Sequence, residues 1–220
     1  HRALQDYTAL RMQNAKSAAE QFAAEFVLKL LKKRLFSSPA AFATTLRKHG
    51  ASMGHAIAGF TDSTAWRRQL EAVDEDYASD EDYETSTEEA LTLAGGALPR
   101  LSLEEKALLE SLSRYADQST QGPDCKAQTL IRWLNMHLRP NGDWNGERVI
   151  LFTEYRATQK WLHDLLAHQG FAAHGRLLMI YGGMPHDDRE KIKAAFQADP
   201  HDAPVRILLA TDAAAEGLNL

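Results

Sequence analysis

The stretch Val205-Arg-Ile-Leu-Leu-Ala-Thr-Asp212 constrains this chain more than any other. Val205 to Ala210 is a short apolar run rich in branched side chains and preceded by Pro204, the pattern of a strand buried on both faces in a parallel sheet covered by helices. Such a strand cannot exist alone, so partners of the same kind must be found upstream. Two are present. Val149 to Phe152 is one, following the turn cluster Arg139-Pro-Asn-Gly-Asp-Trp-Asn-Gly146, and Leu177 to Tyr181 is the other. A helix with Trp161, Leu162, Leu165 and Leu166 on one face, ending at Gly170, lies between them. After the Gly182-Gly183 turn, Pro185 opens a second helix whose acidic first turn, Asp187, Asp188 and Glu190, and later Lys191 and Lys193 match the helix dipole. Its Ile192 and Phe196 face the core. Strand, helix, strand, helix, strand predicts a doubly wound parallel α/β sheet.

The chain before this point reads as helical. Apolar residues recur at helical spacing from Gln5 to Phe36, through Tyr7, Leu10, Ala15, Ala18, Ala19, Phe22, Phe26 and Leu30, which predicts one long amphipathic helix with Lys29, Lys32, Lys33 and Arg34 as a solvated, dipole-matched end. Ser38 before Pro39 caps a second helix running to about His49 and stopping at Gly50. Asp62 starts a third, with Trp66, Leu70 and Val73 on one face. Beyond a break at Gly95-Gly96, Ser102-Leu-Glu-Glu105 is a capping box leading a stripe of Leu108, Leu109, Leu112 and Tyr115. Gln118 to Pro123 is a linker, and Asp124 opens a helix burying Ala127, Leu130, Ile131, Leu134 and Leu138. The expected division is a helical region over residues 1–123 and an α/β region over 124–220.

Charge qualifies these elements. Asp74 to Glu89 holds nine acidic residues and no basic ones, leaving 21 of the chain's 30 acidic residues against 25 basic ones elsewhere. A like-charge run of this kind predicts a solvated, mobile loop over 74–89; an acidic interaction segment is the alternative. No apolar run approaches the roughly 18 residues that span a bilayer, so no membrane partner is expected. The single cysteine, Cys125, excludes an internal disulfide and fits a reducing cytoplasm. No histidine pairs with a cysteine or another histidine at ligand spacing, so no metal is expected. The chain lacks an initiator methionine and stops within what looks like an unfinished buried unit, which predicts a fragment of a longer protein.

Three strands end in three polar turns: Thr153-Glu154-Tyr155-Arg156, Gly182-Gly183 and Thr211-Asp212. In a parallel sheet these lie on one edge, where ligands of open α/β folds bind. Threonine hydroxyls, glycine amides and helix N-termini hold phosphate oxygens without reading bases, and Arg156 adds a cation. A track of such donors suits a nucleic-acid backbone better than one compact ligand. An ordinary strand-to-helix turn with an alanine run, Ala213 to Ala215, has the same composition. A nucleotide-fuelled site needs a loop such as GxxxxGK[ST] and an acidic residue for magnesium; neither is present.

Arg148-Val-Ile-Leu-Phe-Thr-Glu-Tyr-Arg156, Tyr181-Gly-Gly-Met-Pro-His-Asp-Asp-Arg189 with Phe196, and Ile207-Leu-Leu-Ala-Thr-Asp-Ala-Ala-Ala-Glu-Gly-Leu-Asn-Leu220 resemble, in order, motif IV, the glycine-and-arginine motif and motif V of the second RecA-like lobe of superfamily two helicases. The motifs cover about a third of the chain. The helices before them, especially Leu30-Leu-Lys-Lys-Arg-Leu-Phe-Ser-Ser-Pro-Ala-Ala-Phe42, resemble the inter-lobe segment of bacterial Swi/Snf-type proteins, including RapA-like and DISARM-associated ones.

The resemblance implies a DNA translocase or remodeller driven by ATP hydrolysis between two lobes. Carried over position by position, Thr153 and Thr211 would contact the nucleic-acid backbone, with Gly182 near it. Arg189 would hold the lobe together through an ion pair. Glu216, Gly217 and Asn219 would face the inter-lobe nucleotide cleft. The phosphate loop and the acidic magnesium motif of the first lobe are absent, and so is motif VI with its arginine finger. No residue is therefore assigned as catalytic, and ATP and magnesium are expected with the intact parent protein and not on this chain. Expected partners are DNA or RNA, the parent's first RecA-like lobe and a protein bound by the helical region. A non-enzymatic protein-interaction module is the competing reading; a Rossmann-type enzyme is disfavoured because the first strand runs into Thr153-Glu154-Tyr155 without a glycine fingerprint.

Overall fold

The computed structural model describes residues 2–53, Arg68, Leu70 and residues 79–215. The chain divides into two compact units, His1–Asp76 with Asp82–Thr120, and Tyr77–Glu81 with Gln121–Leu220. Among the described residues no helix is long and apolar enough to cross a membrane.

The first unit is built from α1 (Arg2–Asn14), α2 (Ala18–Ser37), α3 (Pro39–Ser52), α4 (Asp80–Ala97, of which residues 82 onward belong to this unit) and α5 (Leu103–Ser119). The single helix expected over 5–36 is two. Ser17, with extended backbone, accepts from the Glu20 amide at 3.1 Å while the Glu20 carboxylate accepts from the Ser17 amide at 3.2 Å, so a capping box starts α2 inside the apolar stripe. Arg34, expected as a solvated helix end, is buried and paired with Glu84 at 3.2 Å.

Residues 80–89 of the acidic run, expected as a loop, are helical. Helical spacing puts Glu84 and Glu88 on one side, where Lys48 meets them at 3.3 and 3.0 Å, and puts Ala90, Leu91 and Ala94 into the core. Arg34 of α2 and Lys48 of α3 thus offset part of the self-repulsion, at Glu84 and Glu88. The expected break at Gly95-Gly96 is also helix. A Cβ at Gly95 would lie 2.5 to 2.8 Å from Ser52 atoms, so the glycine serves close packing. α3 likewise passes Gly50 and ends at Ser52, and α5 continues to Ser119, into the expected linker. Tyr115 stands exposed; Leu109, Leu112 and Ala116 form the buried face. The helix expected from Asp62, and residues 74–78 of the acidic run, lie outside the described residues, although Leu70 is buried in the core of this unit.

The second unit holds α6 (Cys125–Leu138), β1 (Val149–Thr153), α7 (Arg156–His168), β2 (Leu177–Ile180), α8 (His186–Gln197), β3 (Ile207–Thr211) and the short α9 (Asp212–Ala215). Asp124 caps α6, its carboxylate accepting from the Ala127 amide at 2.7 Å. All strands are parallel in the order β1-β3-β2, with Val149 opposite Ile207 and Thr153 opposite Thr211. Side chains alternate along β3. Ile207 and Leu209 pack with Leu134, Leu138, Leu162 and Leu166 of α6 and α7, whereas Leu208 and Ala210 pack with Ile192 and Phe196 of α8. Helices therefore cover both faces, and the sheet is doubly wound. β3 begins at Ile207 and not at Val205, since its register with β1 and β2 runs from Ile207, opposite Val149 and Leu177.

Candidate nucleic-acid interface

Parallel pairing brings the carboxyl ends of the three strands to one edge. Thr153 ends β1 opposite Thr211, and its hydroxyl donates to the Ala210 carbonyl at 3.4 Å. At the end of β2 the Gly182 amide lies 3.2 Å from the Thr211 hydroxyl oxygen, so the second and third turns meet directly. Gly183 follows with φ +83, a left-handed conformation that favours glycine. Arg156, at the start of α7, lays its guanidinium 3.7 Å from the centroid of the Tyr181 ring and bonds Gln159, which joins the first strand end to the second. Burial holds the arginine's proton affinity below its ordinary value, and Tyr181 and Asp80 pull it back up. Thr153, Arg156, Gly182, Gly183 and Thr211 thus share one edge. Glu216, Gly217 and Asn219 lie outside the described residues.

Several residues that sequence reasoning passed over shape this edge. Gln159 is fully buried, and its amide donates to the carbonyls of Ile180 and Leu209, each at 2.8 Å, fastening β2 to β3 one residue short of the turns. A polar residue on the apolar face with Leu162 and Leu166 was the available signal. Arg189 of α8, expected to hold the lobe together through an ion pair, donates to the Ala214 carbonyl at 2.6 Å and so ties the turn after β3 to the helix. Asp80 is the largest addition. Its carboxylate accepts from the Thr211 hydroxyl at 2.7 Å and from the Gly182 amide at 2.7 Å, while its own amide donates to the Gly182 carbonyl at 3.4 Å. Nothing periodic connects residue 80 with residues 182 and 211. Asp212 holds its proton more tightly than an ordinary carboxyl because of burial, then Glu154, then Asp80.

An edge made of a hydroxyl, an amide, a helix start and one cation is suited to anionic oxygen. Residues 126–220 match the helicase conserved C-terminal domain. The match takes in α6, the whole sheet and the strand-end turns, and the doubly wound sheet is a partial RecA-like fold of that kind. The chain is also 34% identical over 74 residues to an uncharacterized ATP-dependent helicase, YqhH, of Bacillus subtilis (strain 168). That alignment covers 34% of this chain and 12% of the relative, so the chain spans a small part of the relative's length. No solved structure is significantly similar to the chain. The domain match and the relative together support a helicase of superfamily two.

Proposed function

We propose that this chain forms part of a bacterial Swi/Snf-like, ATP-dependent DNA translocase, in which the strand-end edge of the second RecA-like lobe grips the nucleic-acid backbone. The helicase domain match supports the lobe assignment. The observation that carries the reading is the convergence of the Gly182 amide and the Thr211 hydroxyl, 3.2 Å apart, with Thr153 in register beside them. An amide and a hydroxyl at that spacing can hold one phosphate oxygen, and none of these groups reads a base. Binding should therefore be indifferent to sequence.

The helical unit is the inter-lobe region in this proposal, and Glu216, Gly217 and Asn219 face the nucleotide cleft. When bound to the parent protein, ATP with magnesium supplies the free energy for movement along DNA. The described residues include no glycine-rich phosphate loop, so this chain alone should release no phosphate from ATP.

Fluorescence anisotropy with labelled single-stranded and duplex DNA at several salt concentrations tests the site. We expect a slope of log affinity against log salt of about −1 to −3, as for roughly one to three released counterions. Thr153→Val, which removes a hydroxyl at nearly constant shape, should cost on the order of 1 kcal/mol of binding, and Arg156→Ala at least as much. Unchanged binding in both variants, with folding verified by circular dichroism, rules the edge out.

A further inference from the structure

The donors of the strand-end edge are not free. Thr211 is fully buried, and the group that buries its hydroxyl is the carboxylate of Asp80, itself only 7% exposed. One oxygen, Oδ2, accepts from the Thr211 hydroxyl and from the Gly182 amide, both at 2.7 Å. Ser79 closes over the next residue: a Cβ at Gly183 would stand 2.9 Å from its hydroxyl oxygen. All of these atoms belong to the second unit, which includes Tyr77–Glu81. A carboxylate oxygen and a phosphodiester oxygen are both anionic acceptors that take hydrogen bonds of similar length, so they compete for the same two donors.

Charge at the edge sharpens the competition. Asp80, Glu154 and Asp212 stand near one another, as the raised proton affinity of Asp212 records, against Arg156 as the cation described there. A phosphate approaching this edge meets more negative than positive charge while Asp80 is in place. Asp80 also lies in the middle of the acidic run 74–89, which the helicase reading leaves without a role.

We propose that the Asp80 carboxylate is an intramolecular stand-in for a backbone phosphate, so that the start of α4 holds the strand-end site closed until nucleic acid displaces it. The inference rests on the reading of the strand ends as a nucleic-acid site. It makes the acidic run a built-in competitor, raising the threshold for engagement without altering the site's own contacts.

The test measures binding of a labelled oligonucleotide by anisotropy at low salt with the full chain carrying Asp80→Ala, Asp80→Asn or Glu81→Gln. If about nine molecules in ten are closed, apparent affinity is reduced about tenfold, and Asp80→Ala should recover that factor. Asp80→Asn keeps the shape and an acceptor oxygen but loses the charge, so it should recover part of the gain, and it secures the result if the alanine variant does not fold. Glu81 is exposed and removes the same charge one residue away, so Glu81→Gln should change affinity by less than about twofold, the scale of a screened surface charge. Binding of the Asp80 variants no tighter than wild type, including no detectable binding in any, overturns the proposal. So does an equal gain from Glu81→Gln, which would make the effect one of net charge. Adding Thr153→Val or Arg156→Ala to the Asp80→Ala chain separates the two readings. If these weaken binding while Asp80→Ala alone does not tighten it, the site stands and the competitor falls. If they leave binding unchanged, the site itself is wrong.

Discussion

In the helical unit Arg11 meets Glu105 at 3.3 Å with both side chains out of water, and Tyr7 meets His49 at 2.7 Å beside them. In the α/β unit Arg206 is also buried, yet it donates to the carbonyls of Asn145, Pro200, Ala203 and Val205, and Arg148 donates to those of Val205 and Phe196. Arg139 rests on the Phe171 ring at 3.9 Å. The first unit answers a buried cation with a titratable anion and the second with peptide oxygens and aromatic faces. The difference decides where protons act. The helical unit has tied its fold to a set of groups that titrate, whereas in the α/β unit the carboxylates Asp80, Glu154 and Asp212 stand near one another at the strand-end edge.

The largest effect should come from breaking the buried pair. Arg11→Ala leaves the Glu105 carboxylate uncompensated and should cost about 3–5 kcal/mol in the helical unit, read by far-ultraviolet circular dichroism, while in a Trp66→Phe background the fluorescence of Trp133, Trp144 and Trp161 in the other unit moves little. A loss below about 1 kcal/mol, the level of a surface pair, would remove the contrast.

Acid should then separate the two units. Burial first, and Arg11 second, push the His49 pKa down to about 3, so the ring stays neutral in the folded chain while an unfolded chain binds a proton near pH 6.5. Stability of the helical unit is therefore full above that value and falls as pH drops towards 3, by up to roughly 1.4 kcal/mol per pH unit. Glu105 acts with the same sign. Burial alone would raise its pKa, but the Ser102 amide, Asn14 and Arg11 outweigh that and hold it low, so its contribution also disappears in acid. Asp212 has the opposite sign: its raised pKa means the folded chain binds the proton more tightly, so the α/β unit gains as pH falls through that range. Urea titrations at several pH values with the two probes check this, and parallel curves would contradict it.

Two glycines give the smaller tests. At Gly95 an added methyl meets Ser52 backbone at 2.7 Å, and Gly95→Ala should cost about 1–3 kcal/mol through overpacking despite alanine's better helix propensity. At Gly183 the obstacle is φ +83 and a movable Ser79 hydroxyl, so Gly183→Ala should cost about 1 kcal/mol. Thermal unfolding followed by the same two probes ranks them, and a larger loss at Gly183 would mean that the Ser79–Asp80 segment cannot yield.

What the sequence disclosed follows from the range over which each force acts. Ser38, Ser102 and Asp124 cap their helices as their spacing predicts, because a cap is settled within four residues. The three apolar runs became the three strands, although only β3 is buried throughout and Phe152 of β1 stands exposed, and the strand-end residues Thr153, Gly182 and Thr211 fell together because parallel pairing leaves them no other edge. The break at Ser17 was missed although its Ser-x-x-Glu box is local; the apolar stripe runs through Ala15, Ala18 and Ala19, and the periodic signal hid the polar one. The acidic helix was misread because the cations that stabilise it, Arg34 and Lys48, are far away in the chain. Asp80 shares that reason. A single carboxylate reaching two donors more than a hundred residues later leaves no period to detect.

The sheet order carries a consequence for how the protein is made. β1 and β2 do not touch; each pairs with β3, which emerges from the ribosome last of the three. Val149 must wait for Ile207, roughly sixty residues and several seconds of translation at about 5–20 residues per second. Through that interval two apolar strands are exposed with no partner, while helices α1 to α3, with their nearby contacts, can already be condensing. Nascent chains stalled before residue 205 should therefore recruit chaperones to the β1 and β2 segments, and chains stalled well past residue 211 should release them.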